Sequence, residues 1–208
     1  MDAEVLTVEL LSDTTFSANF GCSVDVDVEV DHDDFGCPVV SGKAIRGLLR
    51  DTWLSCAPLF PEMTSIAGRL FGAVGDLNEA GILRIGQGTI DARTRGLIVN
   101  AVRRERGPTR RSIFLAFTTV RRQTAEERST GAPAEHSLRS SRVLIRNLRL
   151  QAPVHWLQTP TQQDLACLAM VLLGTRHAGC GRNRGRGHIR LFLNNDLKHT
   201  VNLMAQLQ

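Results

Sequence analysis

The sequence has no tyrosine, and all aromatic residues together make up only 5% of its 208 residues. This shortage argues against a protein that recognises its ligand mainly by stacking aromatic rings. No run of 18 apolar residues occurs, so a membrane-spanning helix is not expected. The acidic start MDAEVLTVEL lacks the basic region of a secretory signal. We therefore expect a cytoplasmic protein with no membrane contact.

Cysteine is scarce, and its spacing follows no recognisable motif. The five cysteines are scattered without a C-x-x-C pair, which fits the reduced thiols of a cytosolic protein better than a disulfide framework or a zinc site. The motifs G-x-S-x-G, H-E-x-x-H and G-x-x-x-x-G-K-[ST] are all absent. These absences exclude a nucleophile-elbow hydrolase, a zincin protease and a P-loop nucleotidase.

Lysine is rare: the sequence has two lysines, Lys43 and Lys198, and 23 arginines. Residues 1–42 hold ten acids and no Lys or Arg, whereas the rest holds 25 basic and 11 acidic residues, a net charge of +14. Arginine offers a planar fork for phosphate, so the excess suggests a polyanionic partner. The codon usage of a GC-rich genome would account for part of the arginine bias. Composition alone leaves the partner open.

Hydrophobic periodicity and turn residues divide the chain into strands and helices. Period-two alternation predicts strands at 4–13, 23–34, 81–92, 151–157 and 188–193. Helical spacing predicts helices at 42–56, which Ser41 would cap, at 64–72 and at 159–175. The tail after residue 194 gives no clear pattern.

Residues 100–149 differ from the rest in character, with twelve arginines against four acids. Their centre, 123–141, is small, polar and interrupted by Gly and Pro, while the flanks 112–120 and 142–150 alternate. We interpret the segment as a long β-hairpin whose polar arm projects from the domain. Without it, the elements follow a β-α-β-β-α-β order. This order predicts one α+β domain over residues 1–208, a modified ferredoxin-like (RRM-like) fold with a hairpin insertion.

A loop rich in glycine and arginine, GCGRNRGRG at 179–187, precedes the last strand. Glycines such as Gly181 and Gly185 let backbone N–H groups approach an anion closely, and Arg182, Arg184 and Arg186 can contact successive phosphates. The order of elements is the reverse of a dinucleotide-binding fingerprint. Contact with RNA or DNA phosphates and a solvated basic turn both remain open.

An acidic ladder alternates with valine at 24–31, where Asp25, Asp27, Glu29 and Asp31 share one face of the predicted strand. One interpretation is an edge strand with a charged outer face. The other is a site for a divalent cation, because four like charges at this spacing repel one another unless a cation is near. His32 beside the ladder is the histidine most relevant to either interpretation.

Four stretches in order resemble the RAMP superfamily of CRISPR-associated proteins. VSGKAIRGLLR at 40–50 is similar to the family's I-P-G-S-S-L-K-G-x-L-R helix start, and GCGRNRGRGHIRL to its C-terminal glycine-rich loop and strand. Between them, 70–92 is similar to the L-F-G … G-x-L-x-hydrophobic-x-D-A segment. The polar hairpin resembles the arm, or thumb, of the Cas-seven-like backbone subunits of type III effectors.

The resemblance implies a backbone subunit that binds guide crRNA, pairs it with target RNA and assembles with other effector subunits, including copies of itself or related subunits. It implies RNA contacts at a set of basic and glycine residues: Lys43, Arg46, Arg121, Arg122, Arg139, Gly181, Arg182, Arg184, Gly185 and Arg186. In subunits that cut target RNA, the family pattern D-x-x-V-x-x-D-x-x-G-x-P places the catalytic carboxylate at Asp27, or at Asp25 after a two-residue slip. Asp27 would then bind Mg²⁺ or another divalent cation, or align the ribose hydroxyl. No organic cofactor is expected.

Three other functions remain possible from the sequence. The chain could be a catalytically inactive structural subunit of the same assembly, with the acidic ladder as a charged surface. It could be a metal-independent repeat-processing endoribonuclease of the same superfamily, although that needs a His or Tyr base, and only His32 lies near. It could also be an unrelated basic RNA-binding protein such as a ribosomal component, which would leave the ladder without a role.

Overall fold

The computed structural model describes residues 4–16, 26–72 and 81–207, and within them strands and helices alternate irregularly. The strands are β1 (Glu4–Leu10), β2 (Val39–Val40), β3 (Leu83–Ile85), β4 (Gly88–Thr89), β5 (Thr118–Gln123), β6 (Arg139–Leu144), β7 (Arg149–Trp156) and β8 (Ile189–Leu193). The helices are α1 (Gly42–Cys56), α2 (Thr64–Phe71), α3 (Ala92–Val102), α4 (Arg110–Phe117), α5 (Gln162–Gly174) and α6 (Leu197–Met204). The predicted α+β class is confirmed.

The main sheet is antiparallel, with strand order β2-β4-β7-β1-β8 and β3 also paired with β7. The first strand occupies an inner position between two late strands, since Leu6 lies opposite Ala152 on β7 and Leu193 on β8. These three side chains are fully or almost fully buried. An early strand is therefore paired on both sides with strands from the last third of the sequence.

Helices α1 and α5 bury apolar stripes in the core together with this sheet. On α1, Ile45, Leu49 and Trp53 are buried at helical spacing, as predicted. On α5 almost the whole length is buried, and Thr161 and Asp164 form a reciprocal capping box at its start. Ser41 occupies the N-cap of α1, but its side chain makes no capping hydrogen bond.

A second, two-stranded sheet consists of β5 and β6 in antiparallel register, from Thr118↔Leu144 to Gln123↔Arg139. It carries a long connection, residues 124–138 (the arm), in which no residue is buried. The hairpin is shorter than predicted, because residues 110–117 form α4 rather than a strand. Thr109 caps that helix by accepting a hydrogen bond from the N–H of Ser112, a start signal that the alternation had obscured.

Besides α4, two further helices were not predicted from the sequence. Asp91 caps α3 and Asp196 caps α6, each accepting a hydrogen bond from the N–H three residues ahead. These capping residues were visible in the sequence. The helix α3 was missed because none of its residues is buried, so it lacks a strong apolar stripe.

The strand predicted at 23–34 is not formed in its described part, residues 26–34. This segment makes isolated bridges, among them Val28 with Ser141 and His32 with Pro38. The alternation still has structural meaning, because Val26 and Val30 are buried while Asp27 is exposed. Asp27, Glu29 and Asp33 bond to other parts of the fold.

No helix in the described ranges is both long enough and apolar enough to span a bilayer.

Candidate nucleic-acid interface

The glycine–arginine loop (residues 179–187) is a fixed turn between α5 and β8. Its backbone is tied to the segment after β1, because the N–H of Cys180 donates to the carbonyl of Thr15 at 3.0 Å and that of Gly187 to the carbonyl of Asp13 at 2.9 Å. A 3₁₀ turn at 182–184 forms its tip, flanked by Gly181 and Gly185 in left-handed conformation. The arginines are therefore displayed on an ordered backbone.

Two glycines of the loop are required by packing. A Cβ on Gly179 would lie 2.2 Å from the Thr15 carbonyl oxygen, and one on Gly187 would lie 2.1 Å from that of Ala178. The sequence had suggested that such glycines let backbone N–H groups reach an anion. At Cys180 and Gly187 those N–H groups are instead used inside the protein. Gly185 alone has open space at its Cβ position.

The three loop arginines are held differently. Arg186 donates from Nη2 to Oε1 of Gln123 at 2.7 Å, which joins the loop to the end of β5. Arg182 and Arg184 are exposed, and their guanidinium groups make no hydrogen bond or ion pair in the described part of the chain. Two full positive charges thus stand free at the tip of the loop.

Two neighbouring clefts open between this loop and the β5–β6 hairpin, with volumes of about 520 and 650 Å³. They share Gln123 and Arg184 as lining residues. Together they bring six of the predicted RNA-binding arginines into one surface: Arg121, Arg122, Arg139, Arg182, Arg184 and Arg186. We call these six residues the arginine cleft.

The arginine cleft has very little acidic charge to balance it. The first cleft also includes Arg146, which the sequence analysis missed because it placed 142–150 in one alternating flank, whereas Arg146 lies in the turn between β6 and β7. Asp13 is the acidic residue in its lining, and it pairs with Arg121 through Nε and Oδ2 at 2.9 Å. A concave surface with this charge and few apolar side chains suits a phosphate backbone better than an apolar ligand.

The structure leaves two predicted basic residues outside these clefts. Lys43 is exposed in the first turn of α1. Arg46 is half-buried and donates from Nη2 to the Phe71 carbonyl at 2.8 Å, and burial, with the nearby Arg84 and Arg50, lowers its pKa. A smaller hollow of about 320 Å³ lies between α1 and Arg182, so the helix surface adjoins the loop.

Asp27 lies at the base of the arm, beside the start of β6. Its Oδ2 accepts hydrogen bonds from the N–H of Ser140 at 2.6 Å and from the Ser140 hydroxyl at 3.1 Å. These two donors, with a smaller contribution from Arg139, hold the pKa of Asp27 below its usual value of 3.8. The carboxylate is therefore ionised at neutral pH and exposed to solvent. Asp25, the alternative position, lies outside the described residues.

The residues around Asp27 do not form a metal site by themselves. In the described ranges no group of three His, Cys, Asp or Glu side chains could hold a metal ion. Mg²⁺, however, is commonly held by one or two carboxylates together with water and substrate phosphates. Asp27 could therefore bind such a cation as a single carboxylate ligand, with RNA phosphate and water as the other ligands.

Two other acids of residues 26–36 (the acidic segment), Glu29 and Asp33, form ion pairs within the fold. Oε1 of Glu29 lies 2.8 Å from Nε of the buried Arg142, an ion pair whose angle does not meet that of a hydrogen bond. The guanidinium carbon of Arg142 also lies 5.2 Å from the ring centre of Phe114. Asp33 pairs with Arg95 at 2.8 Å. These contacts attach the acidic segment to β6, α4 and α3.

His32 also belongs to this network. Its ring packs edge-on against Phe114, with centroids 4.5 Å apart, and its Nδ1 lies 3.1 Å from Nη2 of Arg110. A histidine packed in this way has a structural explanation and does not resemble a free general base.

Comparison with known proteins gives a result at the level of structure. No protein-family model matches the sequence, and no curated protein matches it. Among solved structures, a chain of type III-B Cmr-beta bound to cognate target RNA superposes with a TM-score of 0.67 and 10% identity, covering 96% of this chain and 99% of that one. A chain of type III-B Cmr-beta in the apo state gives a TM-score of 0.68 and 10% identity, covering 94% and 98%. The chain therefore shares the fold of a type III-B Cmr-beta chain over nearly its whole length, as the motif resemblance predicted.

Proposed function

We propose that the protein is a guide-RNA-binding backbone subunit of a type III CRISPR ribonucleoprotein, assembled with other effector subunits, including copies of itself or related ones. The observation that carries this proposal is the arginine cleft, in which guanidinium groups from the loop and from both strands of the hairpin meet with little acidic balance. The shared fold with type III-B Cmr-beta chains, one of them bound to target RNA, supports it.

The strand order also supports the finer fold assignment. The strands β8, β1, β7 and β3 lie side by side and antiparallel, with α1 between β1 and β3 in sequence and α5 between β7 and β8. We propose that these six elements form the ferredoxin-like unit and that the β5–β6 hairpin with its exposed arm is the thumb. The arm would then insert between segments of guide and target RNA.

The residues of the arginine cleft would bind the RNA backbone and leave sequence recognition to base pairing. Arginine forms bidentate contacts with phosphate oxygens. The protein has few aromatic side chains on which bases could stack. In RNA-guided recognition the protein reads backbone and shape, while the guide reads the sequence.

We further propose that Asp27 acts in cleavage of the target RNA. Its ionised carboxylate is exposed beside Arg139, at the edge of the surface where RNA would run. It would bind a divalent cation shared with an RNA phosphate or align the attacking 2′-hydroxyl. When bound, such a cation supplies charge stabilisation at the reacting phosphate.

The test is an Asp27→Asn variant in the complex reconstituted with guide RNA. Asparagine keeps an oxygen that accepts hydrogen bonds from Ser140, so local structure is preserved while the charge is lost. We expect cleavage of a labelled target to fall by orders of magnitude while target binding is retained, and a chelator to act in the same way. Asp34→Asn, an exposed acid in the same segment, is the matched control.

Two outcomes would redirect the proposal. If Asp25→Asn abolishes cleavage and Asp27→Asn does not, the family pattern aligns two residues earlier. If the Asp25→Asn/Asp27→Asn double variant cleaves normally, the catalytic role is wrong. The alternative of an inactive structural subunit would then be favoured, and the hydrogen bonds from Ser140 would account for Asp27 on their own.

A further inference from the structure

A second concentration of arginine lies away from the arginine cleft, where α3 ends and α4 begins. Residues 92–111 contain seven arginines and one acid, Glu105. The exposed members of the turn between the helices are Arg103, Arg104 and Arg106, and we call these three residues the helix-turn arginines. The RAMP motifs do not include them, and the sequence analysis assigned them no role.

The turn that carries these residues has a defined backbone. The N–H of Arg103 donates to the Val99 carbonyl at 3.2 Å, and that of Gly107 donates to the Arg104 carbonyl at 2.9 Å. The guanidinium of Arg103 also lies 5.6 Å from the ring centre of Phe35. The helix-turn arginines are therefore displayed on an ordered surface, where less conformational freedom is lost on binding.

Their charges are not neutralised inside the protein. Arg95, earlier on α3, pairs with Asp33. In contrast, the side chains of Arg104 and Arg106 make no hydrogen bond or ion pair within the residues that the structure describes. Cations at the C-terminal end of α3 suit its helix dipole, which explains Arg103 and Arg104 in part. That explanation does not extend to Arg106, which lies beyond the helix.

The surroundings of the turn indicate which kind of partner fits. Protein–protein interfaces have apolar centres depleted in charge, whereas nucleic-acid interfaces are polar and strongly positive. Residues 103–111, RRERGPTRR, contain no aliphatic side chain apart from proline. The exposed Leu97 and Leu115 lie outside the turn, within the two helices. The composition favours RNA.

The position of the turn also separates it from the arginine cleft. Helix α4 runs directly into Thr118 at the start of β5, whereas Gln123 at the other end of β5 contacts the glycine–arginine loop. Six residues of strand span about 17 Å. The arginine cleft thus extends from Arg121 and Arg122 on β5 to the loop beyond Gln123, and the turn, which precedes α4, contributes no lining residue to it.

We propose that the helix-turn arginines form a second RNA-backbone contact, independent of the arginine cleft, which lengthens the RNA path along the hairpin. The inference rests on the proposed RNA-binding function and adds a site to it. Two phosphate contacts by Arg104 and Arg106 contribute to the salt dependence of RNA affinity, because each contact releases bound counterions.

The test compares two variants with the same change in net charge. Arg104→Ala/Arg106→Ala removes the unpaired arginines, and Arg149→Ala/Arg190→Ala removes two exposed arginines that pair with Glu9 on the main sheet. The affinity of the full chain for a single-stranded RNA is measured by fluorescence anisotropy at several salt concentrations. We expect the slope of log affinity against log salt to shrink by about 1.4 in the first variant and by much less in the second.

The outcomes separate this inference from the proposed function. If Arg182→Ala/Arg184→Ala flattens the slope but Arg104→Ala/Arg106→Ala does not, RNA binding is confirmed and the second contact is wrong. If neither variant changes the slope, both proposals are wrong. If Arg104→Ala/Arg106→Ala binds RNA normally but no longer copurifies with the other effector subunits, the surface binds protein and the inference is overturned.

Discussion

The acidic segment, residues 26–36, and the glycine–arginine loop, residues 179–187, are both dense in charge but use it in opposite ways. In the acidic segment Asp27, Glu29 and Asp33 all have partners within the fold. In the loop, the guanidinium groups of Arg182 and Arg184 have none in the described structure. The two segments carry charges of opposite sign, yet they do not pair with each other.

The difference shows that charge density alone does not identify a binding surface. A charge with an internal partner contributes to the fold, and binding a ligand there would mean breaking that contact. A charge displayed on ordered backbone without a partner is available to a ligand of opposite sign. In this protein the arginines of the second kind adjoin the clefts, which is where we propose that RNA binds.

The largest effect is expected where a buried charge loses its partner. Arg142→Ala would leave Glu29 mostly buried without a counter-charge, and we expect the free energy of unfolding to fall by about 3–5 kcal/mol. Arg184→Ala removes the same kind of side chain from the exposed loop and should change stability by less than about 0.5 kcal/mol. Urea denaturation of the two variants measures the contrast.

A double variant tests whether the ion pair is the cause of that loss. Replacing both partners, in Glu29→Met/Arg142→Met, removes the unpaired charge and should recover most of the lost stability. Equal losses in Arg142→Ala and Arg184→Ala would show that the distinction between matched and unmatched charge is wrong.

The opposite contrast should appear in RNA affinity. The triple variant Arg182→Ala/Arg184→Ala/Arg186→Ala should weaken binding of all RNA sequences alike, and the slope of log affinity against log salt should shrink by about 2. Arg186 also bonds to Gln123, so a small loss of stability is expected with it. An unchanged slope would mean that the loop is only a solvated basic turn.

A smaller effect is expected when the acidic segment is titrated. Burial alone would raise the pKa of Asp33, but the N–H groups of Cys37 and Phe35 and the guanidinium of Arg95 together lower it below 3.8. A carboxyl group whose pKa is lower in the folded state than in the unfolded state stabilises the protein fully at pH values above the unfolded pKa. That contribution is lost as the pH falls through the folded pKa. Stability should therefore decline below about pH 3.8 less steeply in Asp33→Asn than in the native chain. Asp34→Asn, which removes an exposed acid of the same segment, is the control for the loss of one negative charge.

Sequence periodicity predicted best where apolar side chains enter the core. The helix at 42–56 has the predicted limits, because Ile45, Leu49 and Trp53 are all buried. Prediction failed where neighbours in space decide the structure. Glu29 was predicted as part of a repeating charged face, but its partner Arg142 lies far along the chain. No local pattern reveals that pair, or the pair of Asp33 with Arg95.

The candidate site was predictable in composition but not in shape. The arginines of the loop and of the hairpin were identified as separate stretches, and the shared clefts and the bond from Arg186 to Gln123 show that they form one surface. Arg46 was grouped with them through the helix motif, whereas its guanidinium contacts the Phe71 carbonyl. Its role in RNA binding stays a prediction.

A small effect on stability is also expected for the arm, in which no ion pair is formed within the described structure and no side chain is buried. Deleting residues 124–138 and joining the strands with a short Gly turn should change the free energy of unfolding by less than about 1 kcal/mol. Guide binding should persist, while target binding or the regular spacing of cleavage should be lost. A large fall in thermal stability would show that the arm supports the fold.

The central position of β1 has a consequence for how the chain folds. Leu6 reaches its neighbours Ala152 and Leu193 only after about 150 and 190 residues of chain have closed into loops. Contacts so distant in sequence give a high contact order, and such topologies fold slowly because the entropy of loop closure is lost before the contacts form. During synthesis β1 stays unpaired until β7 and then β8 have been made, and its apolar side chains are exposed to aggregation until then. The chain is therefore expected to refold slowly and to depend on low concentration or on chaperones for its yield.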